Sequence, residues 1–262
     1  MLKLEHIAKT FNPGTINEKH AIRDLSLELA DGDFVTVIGG NGAGKSTMLN
    51  AICGVFPVDE GKIVLDGNDI TALPEYKRAK FLGRVFQDPM MGTSPNMEIQ
   101  ENLALAYRRG KSRLLRPGIT KAEKELYREH LKRLGLGLED RMTSKVGLLS
   151  GGQRQSLTLL MATLNRPDLL LLDEHTAALD PKTAAKVLAL TEEITSEEKL
   201  TTIMITHNMK DAIHYGNRLV MMHEGRVVYD VSGEEKSALT VEDLLKKFEQ
   251  TAGMVNDRLI LA

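Results

Sequence analysis

Residues 39–47 read Gly-Gly-Asn-Gly-Ala-Gly-Lys-Ser-Thr, which matches the spacing G-x-x-x-x-G-K-[ST]. This feature constrains the fold most, because such a loop works only between a strand and a helix. Both flanks fit. Phe34-Val35-Thr36-Val37-Ile38 is apolar and β-branched and reads as a buried strand, while Ser46 to Ile52 reads as a helix. Gly39, Gly42 and Gly44 let the chain wrap with its amides inward, with Asn41 and Ala43 between them. The helix start turns its positive end toward the same anion. Lys45 is expected to reach the β- and γ-phosphates of a triphosphate and Ser46 to hold Mg²⁺, with Thr47 the last residue of the nucleotide-binding loop. A plain Gly-rich turn is the competing reading, and the Lys-Ser pair at the motif's offset argues against it.

A second element is Leu169-Leu170-Leu171-Leu172-Asp173-Glu174. A short apolar run closed by polar residues fits a strand buried on both faces of a parallel sheet. Ligands of such sheets sit at the carboxyl ends of the strands, so Asp173 and Glu174 are expected beside the phosphate loop. Asp173 is a candidate Mg²⁺ partner; Glu174 points the other way and is a candidate for polarising an attacking water. The alternative is a core strand ending in solvated acids.

A third element is Leu149-Ser150-Gly151-Gly152-Gln153, ahead of a helical stretch from Gln153 to Leu164. A Ser-Gly-Gly turn at a helix start is a second anion site, or simply a helix cap.

With these three elements in this order, the chain resembles an ATP-binding cassette (ABC) ATPase subunit over nearly all of its 262 residues. The resemblance implies an α/β fold: a P-loop NTPase core with a mostly parallel sheet, a flanking antiparallel β subdomain and an inserted helical subdomain. It implies one ATPase domain over 1–262, with the helical signature part at about 88–165 and a helical tail at about 241–262. Gln87, after Gly83-Arg84-Val85-Phe86, corresponds to the Q-loop glutamine that touches Mg²⁺ and water. Ser150, Gly151, Gly152 and Gln153 correspond to the signature loop, and Asp180 of Ala178-Leu179-Asp180 to the D-loop. His207, after Thr202-Ile203-Met204-Ile205-Thr206, corresponds to the switch histidine; a satisfied structural histidine is the other reading. Phe11 is the candidate for stacking on adenine, with a core role as the alternative.

One triphosphate does not need two anion sites in one chain. The economical reading gives the signature to the γ-phosphate held by a second copy, hence a head-to-tail homodimer around two ATP molecules with an isologous interface. The resemblance further implies integral membrane permease subunits as partners, an extracytoplasmic substrate-binding protein acting through them, and a peripheral position on the cytoplasmic face of the membrane. The family's usual residue after Glu174 is proline, and here it is His175, which restores a backbone N–H. That string, with Asp88 to Gly92 and Glu101 to Ala104, resembles importer ATPases, some linked to aromatic amino acids. A soluble ABC ATPase that remodels or scaffolds a cytosolic assembly is the alternative from another class.

Composition bounds these readings. Lys and Arg number 34 against 36 Asp and Glu, a formal charge of −2, which argues against a nucleic-acid partner. The single cysteine, Cys53, excludes an internal disulfide and reads as a small packed residue. No apolar signal core opens the chain, and no run approaches the roughly 20 apolar residues of a membrane span. Asp66-Gly67-Asn68 is a strong hairpin signal within an antiparallel sheet expected over Leu2 to Asp69. Helices are expected at Glu98 to Tyr107 and Lys121 to Leu134, a strand pair around Glu224-Gly225, and an amphipathic helix at Val241 to Gln250 with Leu244, Leu245 and Phe248 on one side. Arg108, Arg109, Lys111, Arg113 and Arg116 read as a solvated loop or as a contact for anionic lipid headgroups. Met90 and Met91 read as core filling or as an adaptable surface for a membrane subunit's cytoplasmic helix.

Overall fold

The structure is a computed structural model that describes residues 1–111 and 118–252. In chain order the elements begin with strands β1 (Leu2–Phe11), β2 (Lys19–Leu29) and β3 (Phe34–Ile38), helix α1 (Lys45–Cys53), strands β4 (Glu60–Leu65) and β5 (Asn68–Asp69), and helix α2 (Glu75–Arg78). Strand β6 (Leu82–Val85), helices α3 (Ile99–Tyr107), α4 (Lys121–Arg133) and α5 (Gly151–Thr163), strand β7 (Leu169–Asp173) and helix α6 (Pro181–Glu198) follow. The last are strand β8 (Thr202–Ile205), helix α7 (Met209–His214), strands β9 (Arg218–His223) and β10 (Arg226–Ser232), and helices α8 (Gly233–Ser237) and α9 (Val241–Ala252). The chain divides into two compact units, one of Met1–Arg78 with the chain from Lys199 onward, the other Ala79–Glu198.

The first unit holds the antiparallel sheet expected near the N-terminus, with β1 between β2 and β4 and β5 paired to β4. Asp66 and Gly67, at φ 49° and 75°, join β4 to β5, and left-handed backbone at both positions is what a two-residue type I′ turn requires. In the same unit β3 runs parallel to both β8 and β9, and β10 pairs antiparallel with β9. Val35 to Ile38 and all of β8 are buried, as a strand covered on both faces should be. The β8 strand ends at Ile205, one residue before the apolar run predicts.

Helix α1 buries Met48, Leu49, Ala51, Ile52 and Cys53. Its carboxyl end is closed twice. Gly54 takes the left-handed cap, and the buried Arg78 guanidinium donates to Ala51 O at 2.7 Å and Ile52 O at 2.8 Å. Burial lowers the pKa of Arg78, which further donates to Leu73 O and Thr71 O. Helix α9 sets Leu244 and Phe248 against Ile38, Leu219 and Met221, the amphipathic packing that its pattern predicts.

The second unit pairs β6 parallel with β7 and builds a separate apolar core from α3, α4 and α5, including Ile99, Leu103, Tyr127, Leu131, Leu157 and Leu160. Capping boxes set all three helix starts: Glu98 with Glu101, Thr120 with Glu123, and Ser150 with Gln153. Glu98 therefore caps α3 rather than opening it, and α4 closes at Arg133 with Leu134 as its C-cap.

In the basic cluster after α3, Arg108 and Arg109 are half-buried and paired rather than solvated, while Lys111 is exposed. Arg108 pairs with Glu123 at 3.0 Å, Arg109 donates to Ala162 O with its pKa lowered by burial, and the Lys111 ammonium lies 3.6 Å from the Tyr107 ring centroid. Arg108 and Arg109 thereby tie the end of α3 to α4 and α5, while Lys111 folds back on α3 itself. Arg113 and Arg116 lie outside the described residues.

Candidate functional site

Two clusters of the predicted site residues form, each within one unit. In the first, β3 and β8 run in parallel register, Val37 beside Ile205, and the Thr206 amide donates to Val37 O at 3.2 Å. The loop after β3 and His207 after β8 therefore leave the sheet side by side at strand carboxyl ends, where α/β sheets bind ligands. Gly44 caps α1 without a side chain, at φ 97°, and a Cβ there would stand 2.6 Å from Ala21 O. Only glycine fits that backbone and that space. The turn between β9 and β10 braces the loop, since the Gly225 amide donates to Ala43 O at 3.0 Å.

Lys45 is buried, and its ammonium donates to Gly39 O at 2.6 Å and Gly40 O at 3.1 Å. The loop's own carbonyls thus hold the charge over the loop. Asn41, Gly42 and Ser46 are exposed, and Thr47 is half-buried. Asn208, next to His207, accepts from the amides of Lys210 and Asp211 and fixes the start of α7. Phe11 ends β1 half-buried, its ring edge-to-face with Phe56 at 5.1 Å between centroids and Lys9 above both rings.

In the second unit β6 and β7 are parallel with Val85 beside Leu172, which sets Gln87 near the strand end that carries Asp173 and Glu174. Gln87 is exposed. Arg84 reaches toward Asp173 at 3.8 Å and stacks over Phe86 at 4.4 Å. Glu174 takes a left-handed backbone, φ 47°, and the Ala177 amide donates to Glu174 O at 3.0 Å, closing a tight turn. Asp180 accepts from the Thr183 amide at 3.1 Å, ahead of Pro181 at the first position of α6, and the Thr183 hydrogen bonds hold its carboxyl below the usual range.

Ser150 Oγ accepts from the Gln153 amide at 3.3 Å, and the Ser150 amide donates to Gln153 Oε1 at 3.1 Å. The cap uses the serine oxygen as an acceptor, which leaves its O–H able to donate to a phosphate. Cap and anion site are thus compatible. A Cβ on Gly152 would stand 2.2 Å from Thr183 Cγ2, so close packing against α6 accounts for that glycine.

Sequence patterns did not point to Arg84, Arg154 or Gln155. Arg154 donates to Met90 Sδ, Gly147 O and Leu149 O, and the buried Gln155 donates to Phe86 O at 3.4 Å. Both tie the segment around Gln87 to the helix behind Ser150. A glutamine on the buried side of α5 was the available signal. Met90 and Met91 are exposed, the latter 70 %, so core filling does not describe them.

Residues 22–177 match the family described as ABC transporter. The chain is 49 % identical to a tyrosine transport ATP-binding protein of Clostridioides difficile, over 95 % of this chain and 99 % of that one. It is 35 % identical to the methionine import ATP-binding protein MetN 2 of Enterococcus faecalis, covering 87 % of this chain and 64 % of that one. Among solved structures, the cassette MJ0796 in a dimeric post-hydrolysis state with ADP and Pi superposes with a TM-score of 0.76 at 29 % identity, covering 88 % of this chain and 98 % of that one. The ADP conformation of MJ1267, an ATP-binding cassette of an ABC transporter, gives 0.79 at 26 % identity, covering 97 % and 98 %. The chain belongs to the ABC transporter family and is its nucleotide-binding ATPase component.

Proposed function

We propose that this chain is the ATP-hydrolysing subunit of a bacterial importer, that it works as a head-to-tail homodimer, and that its cargo is an amino acid. The observation that carries the reading is the pair of anion-ready helix starts, one at Gly44-Lys45-Ser46 and one at Ser150-Gly151-Gly152. One serves the ATP of its own chain and the other the γ-phosphate held by a second copy. The dimeric MJ0796 cassette with ADP and Pi supports this arrangement, and the tyrosine and methionine transport relatives support the cargo class.

The residue roles follow from chemistry. The loop from Gly39 to Thr47 cradles the phosphates, Lys45 neutralises their charge, and Phe11 stacks on the adenine. Ser46, Gln87 and Asp173 offer oxygen donors suited to Mg²⁺, a hard ion bound by one or two carboxylates together with substrate phosphates. When bound, Mg²⁺ supplies charge neutralisation at the β- and γ-phosphates. No cluster of three or more His, Cys, Asp and Glu side chains among the described residues could hold a metal by itself, and this mode of binding needs none. Glu174 polarises the attacking water, with His207 orienting it. Ser150, Gly151, Gly152 and Gln153 of the second copy, with Asp180 at the same interface, complete the charge balance. Hydrolysis then waits on dimer closure.

Residues 1–262 act as one ATPase domain in this reading, with the helical part around 88–165 presenting the signature. Among the described residues no helix is long and apolar enough to cross a membrane, so the channel is assigned to separate permease subunits. The chain is peripheral on the cytoplasmic face, and an extracytoplasmic binding protein delivers the cargo. Exposed Met90 and Met91 are the proposed contact for a permease's cytoplasmic helix.

The test is a tagged pull-down from gently solubilised membranes, using Glu174→Gln with ATP and read by mass spectrometry. Recovery of a multi-span protein at comparable stoichiometry is the expected result. Recovery of soluble proteins alone would overturn the transport reading and leave the ATPase intact.

A further inference from the structure

The backbone at Glu174 is strained. A non-glycine residue at φ 47° is unfavourable and persists only where its surroundings over-determine it. The turn that follows, closed by the Ala177 amide on Glu174 O, puts residue 175 at its second position, where proline presets φ. His175 gives up that preset backbone angle and contributes a side chain instead.

That side chain is 2 % exposed, and its Nε2 lies 3.1 Å from Thr191 Oγ1, in the middle of α6. Thr191 Oγ1 donates its proton to Val187 O at 2.8 Å. With that O–H assigned to Val187 O, the hydroxyl accepts from the imidazole, which is then the Nε2–H tautomer. The result is a short rigid chain of contacts: Val187 carbonyl, Thr191 hydroxyl, His175 ring, Glu174 backbone.

We propose that His175 is a positioning residue for ATP hydrolysis, fastening the Glu174 turn to α6 through Thr191. The inference rests on Glu174 acting on the attacking water and names the device that aims it. Positioning is a sensitive quantity, since displacements near 1 Å cost on the order of 100-fold in rate. A histidine anchor replaces the stiffness of a proline ring with a hydrogen bond to a different element. The turn then follows α6, which begins at the Asp180 cap.

The experiment measures kcat, KM and ATP affinity of the full chain for Thr191→Val, Thr191→Ser, His175→Leu, His175→Gln and the Thr191→Val/His175→Leu pair, beside Glu174→Gln. Thr191→Val and His175→Leu are expected to lower kcat about tenfold with ATP affinity within about twofold, and the pair to be no worse than either alone. Thr191→Ser keeps the hydroxyl and His175→Gln keeps an amide donor, so both are expected to recover turnover. A folded Thr191→Val with wild-type kcat, or a pair whose losses multiply, would overturn the proposal while an inactive Glu174→Gln left the site reading standing. Substantial turnover by Glu174→Gln would instead remove the reading on which the proposal rests.

Discussion

Lys45, assigned to phosphate in the proposed function, is already held in place by its own loop. Its ammonium is held by two loop carbonyls, so little side-chain freedom remains to be lost when phosphate binds. Lys45→Ala should lower ATP affinity by at least about tenfold, ~1.4 kcal/mol, in calorimetric titration; unchanged affinity would sink the phosphate-loop assignment. Gly152 is set by space rather than charge. Its Cβ would collide with Thr183 Cγ2, so Gly152→Ala should destabilise the fold by about 1–3 kcal/mol in denaturant titration, and adding Thr183→Ser should recover most of the loss. If the second change recovers nothing, the clash is not the cause. What was legible at this scale was placement tied to fixed spacing, such as Lys45 and Ser46 at the start of α1 and the Asp173–Glu174 pair at the end of β7. What was not legible was partner choice. Arg108, Arg109 and Lys111 look identical in sequence to a solvated basic loop, yet one meets a carboxylate, one a carbonyl and one a ring. His175 likewise stood out only as a departure, because its partner Thr191 is 16 residues away on another element.

At the scale of elements the local rules held well. Strand β3, helix α1, the Asp66–Gly67 and Glu224–Gly225 turns and the start of α4 sit within a residue of where periodicity and turn chemistry put them, while α5 opens at Gly151, two residues before the Gln153 start that the pattern gives. Boundaries moved by a residue where a cap and a first turn share the same letters, as at Glu98. Helix α8 carries a buried ion that pattern alone did not mark. Lys236 donates to the carbonyls of Tyr215 and Gly216, and burial pushes its pKa down to about 8 from 10.5. A depressed value for a base means that the unfolded chain binds the extra proton between the two pKa values. Lys236 therefore makes stability rise with pH across that window, and its burial penalty is fully present below pH 8. Comparing urea midpoints of wild type and Lys236→Met across pH 7 to 11 should show this component of the slope in wild type alone. Parallel curves would contradict it.

On the scale of the whole molecule, the proposed function assigns each unit part of a phosphate-handling chemistry at a parallel strand end. The first has the loop and His207; the second has Gln87, Asp173, Glu174 and the Ser150 helix start. A second anion site in one chain makes a second copy the natural completion, and that dependence is the central claim. Its most direct test is the mass of Glu174→Gln in solution, by light scattering, with ATP and with ADP. The expected result is a species of twice the 29.0 kDa chain mass with ATP, collapse to the monomer with ADP, and no ATP turnover. A variant that binds ATP yet stays monomeric at every protein concentration, or that hydrolyses ATP at the wild-type rate, would contradict it.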